Sequence, residues 1–245
     1  MSGGVGPVND ISLPKDDRQH PSPPLPTSAA ATTTKRGFLS FRHLNSLAVV
    51  VVLAASGLVD YQDLAFVVLS LGYIHVLSVV AFPSLGPARE PTVFDPRNRV
   101  LRLYVSFAAV VGLFLPIAYI FECIYEGDKE GVAAAAPHLF LLASQVFMEG
   151  VAFSGRFSTP IRVFVPVSYN AKRIFTLMDW LESEFRKEGH GGGGGASARR
   201  VYVGRILAAA NMALWCFNLF AFLLPVYMPK AFKKYYAAYY KVKDV

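Results

Sequence analysis

The chain has 245 residues, of which 53% are hydrophobic and 17% charged, and its net charge is +7. A soluble domain spreads apolar residues at helix or strand period, whereas here they are gathered into long blocks, which excludes an ordinary soluble fold. The basic residues flank these blocks, where they indicate membrane orientation and argue against nucleic-acid binding.

Residues 1–37 form a tail rich in Pro, Ser, Thr and Ala, without apolar periodicity, which predicts disorder. The first apolar run begins after residue 37, too far along the chain for a cleavable signal peptide. Asp10, Asp16 and Asp17 argue against a chloroplast transit peptide, which is poor in acidic residues. A plastid membrane is therefore the second choice of location.

A transmembrane domain is predicted for residues 38–230, because five apolar blocks follow the tail. They cover residues 44–59, 64–82, 103–121, 133–153 and 206–225. About 20 apolar residues cross a hydrocarbon core of ~30 Å, and no segment shows the ten-residue alternation of a barrel strand. The predicted fold is all-α, a polytopic helical membrane bundle of five helices. The alternative is four crossings plus a re-entrant fifth segment, since Pro225 and Pro229 follow the last block.

The fourth block carries a polar stripe of His138, Gln145 and Glu149. At about 100° per residue, these side chains lie within roughly 40° of one another on a helix. The last block places Asn211 and Asn218 on one face, which we expect to pack against the stripe. Polar residues at this depth indicate either a path for ions or ligands, or hydrogen bonds that join helices.

The 154–200 connection contains a predicted amphipathic helix at 169–188, with Ser168 as its N-cap. We expect this helix to lie in the cytosol on the membrane surface or on the bundle, and to bind anionic lipids or a protein partner. A glycine-rich tether follows at 189–198. The apolar face of the helix consists of Ile174, Leu177, Met178, Leu181 and Phe185.

Counts of Lys and Arg predict a cytosolic N-terminus, because the 83–102 and 154–200 connections are rich in them and the 60–63 turn has none. Five crossings would then place the C-terminus outside, although the basic tail at 231–245 is typical of the cytosolic side. Lys241 and Lys243 fit the Lys-x-Lys-x-x spacing of a retrieval signal to the endoplasmic reticulum. They favour an endomembrane location.

The phrase "RFSTPIRVFVPVSYNAKRIFTLMDWL", residues 156–181, resembles a plant-specific family of uncharacterised multi-pass transmembrane proteins grouped under a domain of unknown function. The resemblance extends from about residue 44 to about residue 240. It implies a land-plant membrane protein, and it lends no activity, ligand or catalytic residue.

No catalytic motif, phosphate loop or metal-ligand spacing occurs in the sequence, and Cys123 and Cys216 are not spaced as a metal site. We therefore predict a non-enzymatic integral membrane protein without cofactor or metal, which binds lipid or a partner through its cytosolic loop. The alternative is a small transporter or channel subunit with a polar path along His138, Gln145 and Glu149. The two differ in whether a water-filled path reaches Gln145.

Overall fold

The computed structural model describes residues 41–86, 92–95, 97–187 and 195–243. In these residues every regular element is helical, which confirms the predicted all-α fold. Four helices are long and apolar enough to cross a membrane, namely Tyr61–Val80, Arg99–Glu126, Lys129–Ala152 and Arg199–Lys241. The predicted disordered tail and residues 189–194 of the predicted tether lie outside the described residues.

The helices follow one another with short connections. The elements are α1 (Phe41–Ala55), α2 (Tyr61–Val80), α3 (Arg99–Ala109), the π-helical turn π1 (Val110–Phe114), α4 (Leu115–Glu126), α5 (Lys129–Ala152), α6 (Thr159–Arg186), α7 (Gly195–Phe217), the π-helical segment π2 (Asn218–Tyr227) and α8 (Met228–Lys243). Each predicted apolar block coincides in its main part with one of these helices. The basic tail predicted from residue 231 continues the last helix as α8.

Local capping explains the tight reversal between α4 and α5. Gly127 ends α4 in the left-handed conformation, at φ 74°, which glycine adopts without steric cost. Asp128 then caps α5 by accepting a hydrogen bond from the backbone N–H of Gly131 at 2.9 Å. With only two residues between them, α4 and α5 run antiparallel.

Helix α6 begins at Thr159, ten positions before the predicted start at 169, and it packs within the bundle. Pro160 lies in its first turn, where the missing N–H is tolerated, and Pro166 lies inside the helix. The Ser168 hydroxyl, predicted to be an N-cap, donates instead to the carbonyl of Val165 at 3.1 Å. The 28 residues of α6 extend about 42 Å, at about 1.5 Å per residue.

Contacts at its two ends show that α6 runs the full length of the bundle. At one end the Ser158 hydroxyl donates to the carbonyl of Phe82, just after α2, at 2.8 Å. At the other end the Lys187 ammonium lies 3.5 Å from Asp128, at the start of α5. We call the Phe82 and Ser158 side the tail end, since α8 also packs there, and the Asp128 and Lys187 side the cleft end.

The α1–α2 hairpin reaches only halfway along this bundle. Val59, in its turn, packs in one cluster with Phe140 and Leu141 at the middle of α5. Asp63, in the first turn of α2, pairs with Lys172 at the middle of α6, with 2.8 Å between Nζ and Oδ1. The half of the bundle beyond the hairpin turn is therefore open on this side.

The helices also expose large apolar side chains outward, as expected where lipid is the solvent. Val68 and Leu69 on α2, and Leu103, Phe107 and Phe121 on the α3–α4 helix, are all more than half exposed. The bundle interior instead holds polar and charged groups, including His138, Arg173 and Glu184. This distribution fits a membrane protein.

Candidate functional site

A cleft of about 990 Å³ opens beyond the turn of the α1–α2 hairpin at the cleft end. The first half of α5, the second half of α6 and the start of α7 form its walls. Six acidic and four basic residues line it: Asp60, Asp63, Asp128, Glu130, Asp179, Glu182, Lys172, Arg186, Lys187 and Arg200. Such a concave, charged surface suits a polar ligand.

One stripe of α6 supplies most of this polar wall. Lys172, Thr176, Asp179, Ser183 and Arg186 recur at intervals of four, three, four and three residues, so they share one face of the helix. The polar half of the amphipathic pattern thus faces the cleft. Along the helix axis, Lys172 lies about 21 Å from Arg186, at about 1.5 Å per residue.

The Lys172–Asp63 ion pair forms the floor of the cleft. The Asp63 side chain is only 3% exposed and the Lys172 side chain 21%. Removal of either partner would leave a charge with little solvent, which is strongly unfavourable. The pair therefore fixes the hairpin turn against the middle of α6.

A second network joins four helices near the mouth of the cleft. Lys187 pairs with Glu184 at 2.8 Å and with Asp128 at 3.5 Å. Arg200 pairs with Glu126 and, at 3.3 Å, with Asp128. The buried carboxylate of Glu184 also accepts a hydrogen bond from the Tyr119 hydroxyl at 2.6 Å. These contacts tie α4, α5, α6 and α7 together.

The cleft has a surplus of acceptors. All four of its basic side chains are ion-paired, Lys172, Lys187 and Arg200 as above, and Arg186 with Glu182. Among the described residues, no ion pair or side-chain hydrogen bond engages the carboxylates of three lining residues. These are Asp60, Glu130 and Asp179.

A buried polar chain lies directly beneath the floor and begins at Arg173. This arginine is fully buried, and its Nη2 donates to Oε1 of Gln145 at 2.5 Å. Its guanidinium lies 4.2 Å from the ring centroid of Trp215, a favourable cation–π distance. Nε2 of Gln145 in turn donates to Oε1 of Glu149 at 2.8 Å.

Residues 39–236 match a protein family described as "Domain of unknown function (DUF7733)". The chain belongs to this family. No curated protein and no solved structure matches the chain. The DUF7733 region includes the whole cleft and the buried chain, while Lys241 and Lys243 lie beyond it.

The predicted polar stripe divides into two groups in the DUF7733 region. Gln145 and Glu149 bond to each other, and Gln145 binds Arg173 where we expected Asn211. His138 instead bonds through Nε2 to the Gly112 carbonyl at 2.8 Å. Gln145 is 8% exposed and His138 is fully buried.

The side chains of Asn211 and His138 both form hydrogen bonds to backbone carbonyls of the π-helical turn π1. Nδ2 of Asn211 donates to the carbonyl of Val111 at 3.0 Å, next to the Gly112 carbonyl that His138 binds. Pro116 has no backbone N–H that could donate to the carbonyls one turn earlier. The side chains of His138 and Asn211 supply the hydrogen bonds to these carbonyls instead. Asn218 lies apart from this site and accepts a hydrogen bond from the Tyr104 hydroxyl at 2.8 Å.

The predicted apolar face of α6 is only partly inside the protein. Leu177 is fully buried, whereas Met178 and Phe185 are 54% and 55% exposed, and Ile174 and Leu181 are intermediate. The predicted retrieval lysines, Lys241 and Lys243, are exposed on α8.

Sequence reasoning missed Arg173, the residue at which the buried chain begins. It was counted among the charges of the 154–200 connection. The available signal was the apolar run at residues 159–168, directly before the predicted start at 169, although Pro166 within it argues against a continuous helix.

The cleft stops short of the buried chain. Pro137, Lys172 and Thr176 line its deep part, and neither Arg173 nor Gln145 contributes to its wall. Toward the tail end, a separate apolar pocket of about 50 Å³ lies between α2, α6 and α8. Neither of these two cavities is lined by Arg173 or Gln145.

Proposed function

We propose that this protein is a non-enzymatic membrane protein that binds a charged solute in the cleft. The observation that carries the proposal is a cleft of about 990 Å³ that is lined by ten charged side chains, the deepest of which reach the middle of α6. With α2 as a full crossing, the cleft lies beyond the hairpin turn on the far side of the membrane, where water can fill it and where a concave charged surface suits a polar solute. The basic side chains of the cleft are ion-paired, whereas three of its carboxylates are not engaged by another side chain in the described part of the chain. The cleft therefore favours a solute that bears a cationic group.

The proposed topology has six crossings, with α6 as the fifth. Its polar residues are tolerated at depth because other helices supply their partners, as Gln145 does for Arg173. Six crossings put both termini on the same side. Arg156, Arg162 and the α8 lysines are then together at the tail end, so the positive-inside rule assigns that end to the cytosol.

This topology removes the conflict between the number of crossings and the lysine-rich tail. The cleft would open toward the lumen or the cell exterior, and Lys241 and Lys243 would lie in the cytosol, as a retrieval signal requires. We therefore retain the proposal of an endomembrane location, in a plant cell as the family resemblance implies.

Thiol accessibility tests the cleft and its sidedness together. Ser183→Cys places a thiol at a half-buried position inside the cleft, and Phe175→Cys on the same helix places a thiol on a 62% exposed outward face as the control. In sealed vesicles with the cytosolic face outward, a membrane-impermeant reagent should label Ser183→Cys only after the vesicles are permeabilised. Labelling of intact vesicles would contradict the topology, and equal resistance of both variants after permeabilisation would contradict the water-filled cleft.

Ligand class is tested by the thermal unfolding of purified protein with spermidine or with succinate. We expect spermidine to raise the unfolding temperature and succinate to leave it unchanged. The double variant Asp60→Asn, Asp179→Asn should lose the spermidine effect while keeping its own unfolding temperature, since neither carboxylate has a structural partner in the described residues. Stabilisation by succinate alone would reverse the assigned charge.

Transport is the second candidate, favoured by the chain of Arg173, Gln145 and Glu149 beneath the floor. A transporter would open this chain to the cleft in another conformation. Protein in liposomes should then move radiolabelled spermidine, and Glu149→Gln should abolish the movement without affecting binding. Binding without movement in the unaltered protein would leave a binding protein as the function.

A further inference from the structure

The basic residues at the two ends of the bundle differ in whether they form ion pairs. The ion pairs of Lys172, Arg186, Lys187, Arg199 and Arg200 lie at the cleft end or at the cleft floor. At the tail end, no carboxylate pairs with Lys230, Lys233 or Lys234 in the described part of the chain. Within these residues, the positive charge of the three lysines is therefore not compensated by an ion pair.

Two of these lysines join α8 to the connection that precedes α3. Nζ of Lys234 donates to the carbonyls of Thr92 and Val93, at 2.6 and 3.3 Å. Nζ of Lys230 lies 5.3 Å from the ring centroid of Phe94. These partners are neutral, so they position the ammonium groups without cancelling their charge.

Two arginines, one at the end of this connection and one at the start of α3, add positive charge next to these lysines. Arg97 and Arg99 follow Phe94 within five positions, and both are exposed. Asp95 is the one carboxylate in the described residues 92–95 and 97–99, and it accepts the backbone N–H of Arg97 at 2.8 Å. We call Lys230, Lys233, Lys234, Arg97 and Arg99 the basic surface.

The basic surface lies where an apolar helix ends. Phe232 packs edge-on against Phe82 at 5.4 Å between ring centroids, immediately after α2. The hydroxyl of Tyr235 donates to the carbonyl of Pro83 at 2.9 Å. Because α2 is long and apolar enough to span the membrane, the start of α8 is at the depth of the lipid headgroups on the tail side.

We propose that the basic surface binds the headgroup of an anionic phospholipid. Its charge is complementary to a phosphate-bearing headgroup, and each lysine near an anionic membrane surface contributes favourably to such binding. The exposed tyrosines that follow on α8, Tyr236 and Tyr240, suit the same interfacial depth. This inference does not depend on the cleft or on its solute.

Spin-labelled lipids test the proposal with the full-length protein in phosphatidylcholine nanodiscs. Electron paramagnetic resonance gives the association of labelled phosphatidic acid relative to labelled phosphatidylcholine. We expect a preference for phosphatidic acid that falls at least about fivefold in the triple variant Lys230→Gln, Lys233→Gln, Lys234→Gln, and that weakens in high salt. The control is Lys241→Gln, Lys243→Gln on the same helix, which should keep most of the preference.

Three results would overturn the proposal. The triple variant could keep its preference while folded, with an unchanged unfolding temperature. The control could lose as much as the triple variant, which would indicate general charge attraction without a site. Inorganic phosphate at millimolar concentration could displace the labelled lipid fully, which would make a soluble anion the ligand. If the triple variant does not fold, Lys233→Gln alone, which has no described partner, should still lower the preference.

Discussion

The cleft end and the tail end of this bundle both carry basic side chains. The partners of these side chains are charged at the cleft end and neutral at the tail end. At the cleft end, Lys187 pairs with carboxylates of α6 and of the start of α5, and Arg200 pairs with carboxylates of α4 and of the start of α5. At the tail end, Lys230 and Lys234 contact a ring and backbone carbonyls, which are neutral. A cation that is paired inside the protein holds helices together, whereas a cation with neutral partners remains available to an external anion.

Depth decides how much each arrangement contributes to stability. A paired charge that is removed from solvent becomes costly when its partner is lost, while an exposed pair contributes little in water. The comparison therefore predicts a gradient of mutational effects, from the buried arginine beneath the cleft to the exposed lysines of α8.

The largest effect is expected from Arg173→Ala. This change leaves Gln145 and Glu149 without their buried cation and removes the contact with Trp215, so it should lower the free energy of unfolding by about 3–5 kcal/mol. Arg186→Ala is the matched control, since the Arg186 side chain is 77% exposed on the same helix, and it should change stability by no more than ~1 kcal/mol. Denaturant unfolding in detergent micelles measures both, and equal effects would refute the role of depth.

A smaller loss is expected from Gly204→Ala at the cleft-end network. A Cβ atom there would lie 2.5 Å from Oε2 of the fully buried Glu184 and 2.9 Å from the Tyr119 hydroxyl. The network would have to shift, at a cost of about 1–3 kcal/mol. Gly72→Ala in α2 meets nothing within 4 Å and should be neutral or slightly stabilising. Thermal unfolding of the two variants side by side would show whether the network is tightly packed.

The smallest effect on stability is expected at the end of α8. Lys241→Ser with Lys243→Ser should change the free energy of unfolding by no more than about 0.5 kcal/mol, because both side chains are exposed. The same change should move a fluorescently tagged protein out of the endoplasmic reticulum if the retrieval prediction holds. Lys233→Ser with Lys234→Ser removes the same charge without altering the Lys-x-Lys-x-x spacing. An identical distribution of all three proteins would reject the signal.

Much of the fold could be predicted from the sequence, because the membrane makes strong local demands. A block of about 20 apolar residues has to be helical in lipid, whatever its neighbours, so five helices were identified from composition alone. The polar residues of α5 and their common helix face could also be predicted from the sequence. The hydrogen-bond partners of these residues could not be predicted, since Gln145 and Arg173 are 28 residues apart and lie on different helices.

The sequence by itself determined that the chain is a helical membrane bundle. It also showed that Lys and Arg are concentrated in the connections expected on one side of the membrane. Only the tertiary structure decided the place of α6, because hydropathy treats each segment as though lipid surrounded it. In the folded bundle other helices supply partners for the charges of α6: Asp63 neutralises Lys172, and Gln145 and Trp215 contact Arg173. The cleft arises in the same way, from a hairpin that ends halfway along its neighbours, and the length of a segment cannot reveal at which depth it will pack.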